Sequence, residues 1–202
     1  MLSNYTHLTF VVDRSGSMDT VKRDAQGGIN SLLKNQFAEE GVLTVTLVDF
    51  DTIHETKQRM VSEKFSYELV PRGGTALFDA VGREIQKTKT DIEILPKGLR
   101  PEKVIFVIVT DGDENSSRQY DLQKTKALIE TQQGAGWTFQ FIGADQSAWQ
   151  GAALGVNTTQ YRNSAIGNTM MYATMDSAIS TARLKGGSFS MPAEVGESLV
   201  SV

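Results

Sequence analysis

The sequence contains no cysteine, which excludes disulfides, thiolate catalysis and cysteine-ligated zinc or iron–sulfur sites. Histidine is almost as scarce: His7 and His54 are the only two, and they lie in different segments, so they make no ligand pair. No apolar run approaches the ~18 residues of a membrane-spanning helix. The opening Met1-Leu2-Ser3-Asn4-Tyr5 lacks a basic stretch leading into an apolar core, as a secretory leader would require. We therefore expect a cytoplasmic protein with no membrane partner. Positive charge is not concentrated anywhere. The net charge is −4 and the isoelectric point near 5.3, with lysines and arginines scattered, so the electrostatic footprint of a nucleic-acid binder is missing. Internal repeats and low-complexity tracts are absent as well.

What is present suffices for one core. A chain of 202 residues, 40% of them apolar, fits a single domain, which we place at residues 1–182. From Arg183 onward Gly186-Gly187-Ser188, Pro192 and Gly196 break all periodicity, so 183–202 is expected to be a mobile tail, with Phe189 or Leu199-Val200 able to dock on a partner.

Short β-branched and aromatic runs alternate along the chain with apolar stripes of helical spacing. Strands are read at 8–12, 42–50, 103–110 and 137–145, with an edge strand across 53–61 and a short last strand within 155–161. The first helix carries Val21, Ala25, Ile29, Leu32, Leu33 and Phe37, with Asp19 as its cap. Gly27-Gly28 inside it predicts either a close helix–sheet approach or a kink. A second helix starts near Ala76 and gives way to a polar stretch over 88–101, and a third spans Leu122 to Gln132, closed by Gly134 and Gly136. A short helix over 148–154 follows, and then one over 163–182, with Ile166, Met170, Ala173, Ser177 and Ser180 along one side. We read Met170, Met171 and Met175 as core filler. The alternation predicts an α/β, doubly wound fold: a mostly parallel central sheet with right-handed crossovers and helices on both faces.

The chemistry begins where the apolar run 8–12 ends on a carboxylate. Asp13, Ser15 and Ser17 are spaced by two, so in an extended or turning segment their side chains can point to one side. Gly16 lets the backbone turn between the serines. Open α/β sheets place their ligands at such carboxyl ends, and an oxygen-only set suits a hard cation such as Mg²⁺ or Mn²⁺ rather than zinc. Ser and Gly after a strand are also ordinary loop chemistry. Two later segments add to the pattern: Gly73-Gly74-Thr75 delivers a hydroxyl at a helix start, where Thr is equally a cap, and the apolar run 104–109 ends on Thr110-Asp111. Three oxygen clusters in this order resemble the von Willebrand factor A family and its metal-ion-dependent adhesion site, matched by Asp13, Ser15, Ser17, Thr75 and Asp111 over about residues 5–182.

The resemblance implies a Rossmann-like sheet with one antiparallel edge strand, the segment 53–61. It also implies direct coordination of Mg²⁺ or Mn²⁺, ahead of Ca²⁺, by Ser15, Ser17 and Thr75, and coordination by Asp13 and Asp111 directly or through water. Two aspartates neutralise a divalent ion and the hydroxyls add no charge, so an open position would accept an Asp or Glu side chain from a partner protein. The implied function is metal-dependent, adhesion-type protein binding without enzymatic activity. Extracellular relatives in the family often carry disulfides, so the lack of cysteine fits an intracellular bacterial or phage-type member.

Asp49-Phe50-Asp51-Thr52-Ile53 after a strand resembles the nucleophile motif of haloacid-dehalogenase-type phosphatases, with Asp49 attacking phosphorus, Asp51 as general acid and Mg²⁺ on the phosphate. Ile53 departs from the usual Thr or Val. A strand end entering a turn explains the same residues. A calcium hand starting at Asp111 fails, because Ser116 replaces its glycine and Leu122 its terminal glutamate. Asp113 and Glu114 are then expected to be solvated or at best to support the ligands. Water activation at the ion would need a general base, and with no histidine near any cluster only those two carboxylates could supply it. The glycine turn lacks the Gly-x-x-x-x-Gly-Lys frame of a nucleotide loop.

Overall fold

β1 (Thr6–Asp13) is buried along its whole length and β4 (Lys103–Thr110) past its first residue, which is why both read as unbroken apolar runs. A computed structural model describes residues 4–144, 146–162, 164–184 and 189–196, and in it these two strands lie side by side at the centre of a seven-stranded sheet. The remaining strands are β2 (Leu43–Phe50), β3 (His54–Val61), β5 (Thr138–Ala144), β6 (Asn157–Tyr161) and β7 (Glu194–Val195). Their spatial order is β3-β2-β1-β4-β5-β6-β7. Every neighbouring pair is parallel except β2–β3, so the expected antiparallel edge strand is present and the fold is Rossmann-like α/β.

Alternate residues of each strand face opposite layers. Leu8, Phe10 and Val12 point to one face, where α1 (Lys22–Gln36) and α5 (Ala165–Leu184) contribute Ile29, Leu32, Met171 and Met175. Val11, Phe106 and Ile108 point to the other, covered by α2 (Leu77–Ile94), α3 (Leu122–Gly134) and α4 (Trp149–Leu154). From β1 the chain winds outward through β2 and β3, and from β4 it winds the opposite way through β5. The carboxyl ends of β1 and β4 therefore flank the topological switch point, where such sheets open a crevice.

Local details depart from the sequence reading. Asp19 caps no α-helix: residues Gly16–Val21 form a 3₁₀ turn, α1 starts only at Lys22, and no side chain caps it. The turn is held by the Met18 N–H donating to the Ser15 carbonyl at 3.0 Å. α2 continues into the polar stretch as far as Ile94, where Thr88 Oγ1 donates to Glu84 at 3.0 Å and Asp91 accepts Arg59 Nη1 at 2.6 Å. On α5 the expected stripe is rotated. Ile166 is 54% exposed and Met170 40%, whereas Met171, Tyr172, Met175, Ile179 and Ala182 face the core. Small or apolar residues occupy most sides of this helix, so periodicity alone does not orient it. Met171 and Met175 fill the core as expected; Met170 does not.

The segment set apart as a tail also contributes structure. Arg183 lies inside α5 and is buried, donating Nη1 to the Gln36 carbonyl at 2.6 Å and Nη2 to the Glu40 carbonyl at 3.3 Å, so it covers the carbonyl end of α1. Phe189 and Val195 are buried, and β7 adds a strand beside β6, with the Gln160 N–H donating to the Ala193 carbonyl at 2.8 Å. Leu199 and Val200 lie outside the described residues.

The adjacent glycines of α1 serve different purposes. A Cβ on Gly28 would sit 2.1 Å from Tyr172 Cδ2, so the close approach is helix to helix, against α5, rather than helix to sheet. Gly27 has open space on that side. The two alanine substitutions should therefore act in opposite directions: Gly27→Ala raises the urea unfolding free energy by about 0.5–1 kcal/mol through helix propensity, and Gly28→Ala lowers it by about 1–3 kcal/mol through overpacking.

Candidate metal centre

Asp13 ends β1 fully buried, and its two oxygens are used differently. Oδ1 accepts the Ser15 N–H at 2.6 Å and Oδ2 accepts the Thr110 hydroxyl at 2.6 Å, so one carboxylate ties the exits of β1 and β4 together. Ser15 Oγ and Ser17 Oγ lie 3.0 Å apart, as their two-residue spacing across a turn predicts, and Ser17 Oγ donates to Asp111 Oδ1 at 2.6 Å. Thr75 arrives from a third loop. Its N–H donates to Asn115 Oδ1 at 2.9 Å, and its carbonyl accepts the N–H groups of Asn115 (2.9 Å) and Ser116 (3.1 Å).

Gly112 shows that these hydroxyls share one focus. A Cβ built on it would lie 2.9 Å from Thr75 Oγ1, 3.4 Å from Ser15 Oγ and 3.4 Å from Ser17 Oγ. Three hydroxyl oxygens from two loops thus surround a spot that any side chain at residue 112 would fill. Of the five residues singled out in the sequence, Ser15, Ser17, Thr75 and Asp111 converge here directly, and Asp13 braces them through Ser15 and Thr110.

The electrostatics set this cradle apart. Burial pushes the Asp13 carboxyl up to about 6 against the opposing hydrogen bonds from Thr110 and Ser15, and the neighbouring Asp111 raises it further. Asp111 is itself raised by burial, with the Ser17 hydrogen bond opposing. Among the described residues no Lys or Arg side chain counters either carboxylate. Nor does any group of three or more His, Cys, Asp or Glu come together in a way that could hold a metal. The donor set that fits a cation is therefore mixed, two carboxylates and three hydroxyls, all oxygen. That chemistry matches a hard divalent ion.

Asp51 stands in the opposite condition, and Asp49 shares the burial of Asp13 but has Arg14 and Lys57 beside it at 3.7 and 3.6 Å. Arg14, only 1% exposed, donates Nε to Asp51 Oδ2 at 2.9 Å and Nη1 to Glu55 Oε2 at 2.5 Å, and Arg72 Nε adds a second bond to Asp51 Oδ2 at 2.8 Å. Burial alone would raise the Asp51 carboxyl, but Arg72, the Ile53 N–H and Arg14 outweigh it and hold it below the usual range. Asp49 is pushed up to about 6 by burial, opposed by the Tyr67 hydroxyl at 2.8 Å and by Lys57 and Arg14. Both carboxylates are thus committed to a neutralised network, which disfavours the phosphatase reading: Asp49 is fully buried and has no open face from which to attack phosphorus. The Asp-x-Asp spacing matched that motif, but its surroundings do not.

The network's work is to hold the Gly73-Gly74 turn in place. The Arg72 N–H donates to the Arg14 carbonyl at 2.7 Å, the Gly16 N–H to the Gly73 carbonyl at 3.2 Å and the Ala76 N–H to the Asp51 carbonyl at 2.8 Å, so the loop bearing Thr75 is stitched to the loop bearing the serines. Gly73 takes a φ of +70° there, which its lack of a side chain permits.

Two further residues support the site. Glu114, expected to be solvated or at best to support the ligands, accepts the N–H groups of Phe78 (3.0 Å), Ser116 (2.9 Å) and Ser117 (2.7 Å), and so joins the loop after β4 to the first turn of α2. Gln150, fully buried on α4, donates Nε2 to the Gly112 carbonyl at 3.0 Å and accepts the Glu114 N–H at 2.8 Å. Asp113 is exposed and accepts the Trp149 indole N–H at 3.0 Å. The run Glu-Asn-Ser-Ser after a strand hinted at loop capping; nothing near Gln150 in sequence pointed to its role.

No protein-family model matches the chain, and no curated protein matches it. Solved structures do. A von Willebrand factor type A protein from Catenulispora acidiphila is 14% identical, with 86% of this chain and 42% of that one covered at a TM-score of 0.62. The vWF domain of the type V pili tip protein Mfa5 from Porphyromonas gingivalis is 11% identical, with 91% and 98% covered at 0.62. The pilus adhesin SpaC from Lactobacillus rhamnosus GG, in its open conformation, is 13% identical, with 89% and 30% covered at 0.62. The chain thus spans less than half of the first and third of these and nearly all of the second. At such identities the similarity is one of fold, and that fold is the one found in von Willebrand factor A domains.

A pH dependence follows from Asp49. Its folded-state pKa of about 6 lies above the ordinary 3.8, so the folded chain binds the extra proton and loses stability as pH rises between those values. The stability of the wild type relative to Asp49→Asn should fall as pH is raised from about 4 to about 6 and level off above that, as read from urea midpoints at each pH.

Proposed function

We propose that the chain is a divalent-metal-dependent protein-binding module, in which Ser15, Ser17 and Thr75, with Asp13 and Asp111 directly or through water, hold Mg²⁺ or Mn²⁺ and leave a position for an acidic side chain of a partner protein. The observation that carries the reading is the pairing of two raised, uncompensated carboxylates with three hydroxyls that share a focus above Gly112. Burying such a pair is costly unless a cation accompanies it. The solved structures of similar fold include a pilus adhesin and a pilus tip protein, which supports an adhesion-type role.

When bound, a divalent ion supplies a Lewis-acidic centre with affinity for a carboxylate oxygen. The chain's own residues set what that centre can accept. Asp13 and Asp111 contribute two negative charges and the hydroxyls none, so no third protein carboxylate competes with the partner's. Ser17 is exposed whereas Ser15 and Thr75 are buried, so the cradle is accessible from the Ser17 side. No imidazole is free to act as a base: His54 Nε2 lies 3.1 Å from Glu84 Oε2, and His7, fully buried, pairs with Thr44 Oγ1 at 2.8 Å. In this reading the module binds rather than hydrolyses, with Glu114 engaged by the Phe78, Ser116 and Ser117 N–H groups and Asp113 by the Trp149 indole N–H.

Metal titration with thermal unfolding tests this. At Mg²⁺ near 100 times its dissociation constant the wild type should gain about 2.7 kcal/mol of stability, and Mn²⁺ should broaden the amide resonances of Ser15, Gly112 and Thr75. Asp13→Ala should lose both effects. Gly112→Ala should lose them while keeping the wild-type far-ultraviolet circular dichroism, because its methyl group fills the shared focus. Wild-type protein that neither gains stability nor shows Mn²⁺ broadening would end the proposal.

A further inference from the structure

Beside the hydroxyl cradle lies an open groove of about 530 Å³, lined by Thr52 and Ile53 after β2, Arg83 on α2, and Asn115, Ser116 and Arg118 after β4. Cradle and groove share a wall. The Thr75 N–H is held by Asn115 Oδ1 at 2.9 Å, and a Cβ on Gly74 would lie 2.6 Å from Ser116 Oγ and 2.8 Å from Asn115 Oδ1. The groove therefore begins one residue from a ligand of the proposed ion, and Gly74 keeps the passage bare.

Its charge is unbalanced. Asp79 also lines it, but its carboxylate already accepts the N–H groups of Arg118 (3.1 Å), Gln119 (2.8 Å) and Tyr120 (2.8 Å). Arg83 donates Nε to Gln119 Oε1 at 3.1 Å and lies 3.8 Å from Asp79. Arg118 is exposed, and among the described residues its guanidinium has no partner. Ile53, 54% exposed, supplies an apolar flank. One spare cation and one aliphatic surface thus extend from the cradle in a continuous track.

We infer that the partner segment which places one carboxylate on the ion lays a second acidic side chain against Arg118, with an apolar side chain over Ile53. The occupant is an extended peptide carrying two acidic residues, and a basic residue at the second position is repelled. This rests on the metal-dependent reading above and adds a specificity determinant to it. Arg118 is a positioning residue for the partner and does not touch the ion.

The test uses ¹⁵N-labelled protein in Mg²⁺ and capped glycine-rich hexapeptides that carry either one Asp or two Asp separated by one to four residues. At least one two-Asp peptide should bind the wild type about fivefold more tightly than the single-Asp peptide, a gain of the size exposed charge pairs supply and above the twofold statistical factor. That gain should vanish in Arg118→Gln and persist in Lys97→Gln, a charge-matched control in the turn before β4. Amides of Thr52, Ile53 and Arg118 should shift with the two-Asp peptide only. Mg²⁺-dependent binding of the single-Asp peptide with no extra gain from a second Asp, or a gain unchanged in Arg118→Gln, overturns this inference and leaves the metal reading intact. Single-Asp binding that survives chelator and Asp13→Ala removes both.

Discussion

A carboxylate sealed inside a protein without a cation of its own is the constraint that organises this molecule. Asp13 sits at the end of the central strand, fully buried, and spends one oxygen on the Ser15 N–H and the other on the Thr110 hydroxyl. Those two bonds orient the carboxylate but do not neutralise it. Asp111, one residue beyond Thr110, is half-buried at the neighbouring strand, is likewise raised by burial and has the Ser17 hydroxyl on it. Since burying like charges together is unfavourable, the arrangement is stable only because the surrounding loops are held in place by other means.

Those means are the second set of charges, on the β2 side. Arg14 follows Asp13 in sequence, yet its guanidinium turns to Asp51 and Glu55, while Arg72 closes on the same Asp51 oxygen. Here each carboxylate has a cation within reach, and the product is rigidity: the turn that carries Thr75 is fixed against the turn that carries Ser15 and Ser17. On the other side Glu114 and Gln150 perform the same service with backbone groups, holding the loop that contains Gly112. The compensated network thus acts as scaffold, and the Asp13–Asp111 pair has no Lys or Arg among the described residues to counter it. Proteins place such strain at sites of function.

The sheet topology makes this division possible. Because the winding reverses between β1 and β4, loops from both directions meet over one crevice. The groove through Ile53 and Arg118 extends the crevice toward the antiparallel edge. The opposite layer, where α5 packs its Tyr172 ring on Gly28 and Arg183 caps α1, is remote from the chemistry and supplies stability.

Much of this was legible in the chain itself. Strands buried on both faces announce themselves as apolar runs, which is why the run over 103–110 coincides with β4, and Asp13 and Asp111 are visible as the carboxylates at which such runs stop. The five oxygen-bearing residues stood out because three of them are packed within five positions and the others follow strand or turn signals. Less legible was anything that depends on which way a helix faces, as with Ile166 and Met170, since a helix with small residues on most sides carries no directional pattern. The sequence by itself thus determined the order of the elements and the chemistry offered at the sheet's carboxyl edge. Only the tertiary structure decided which aspartates are neutralised and which are not. Asp13, Asp49, Asp51 and Asp111 all look alike as residues at or beside the end of a strand, and the cations that distinguish Asp49 and Asp51 come from 8 to 37 positions away in the chain.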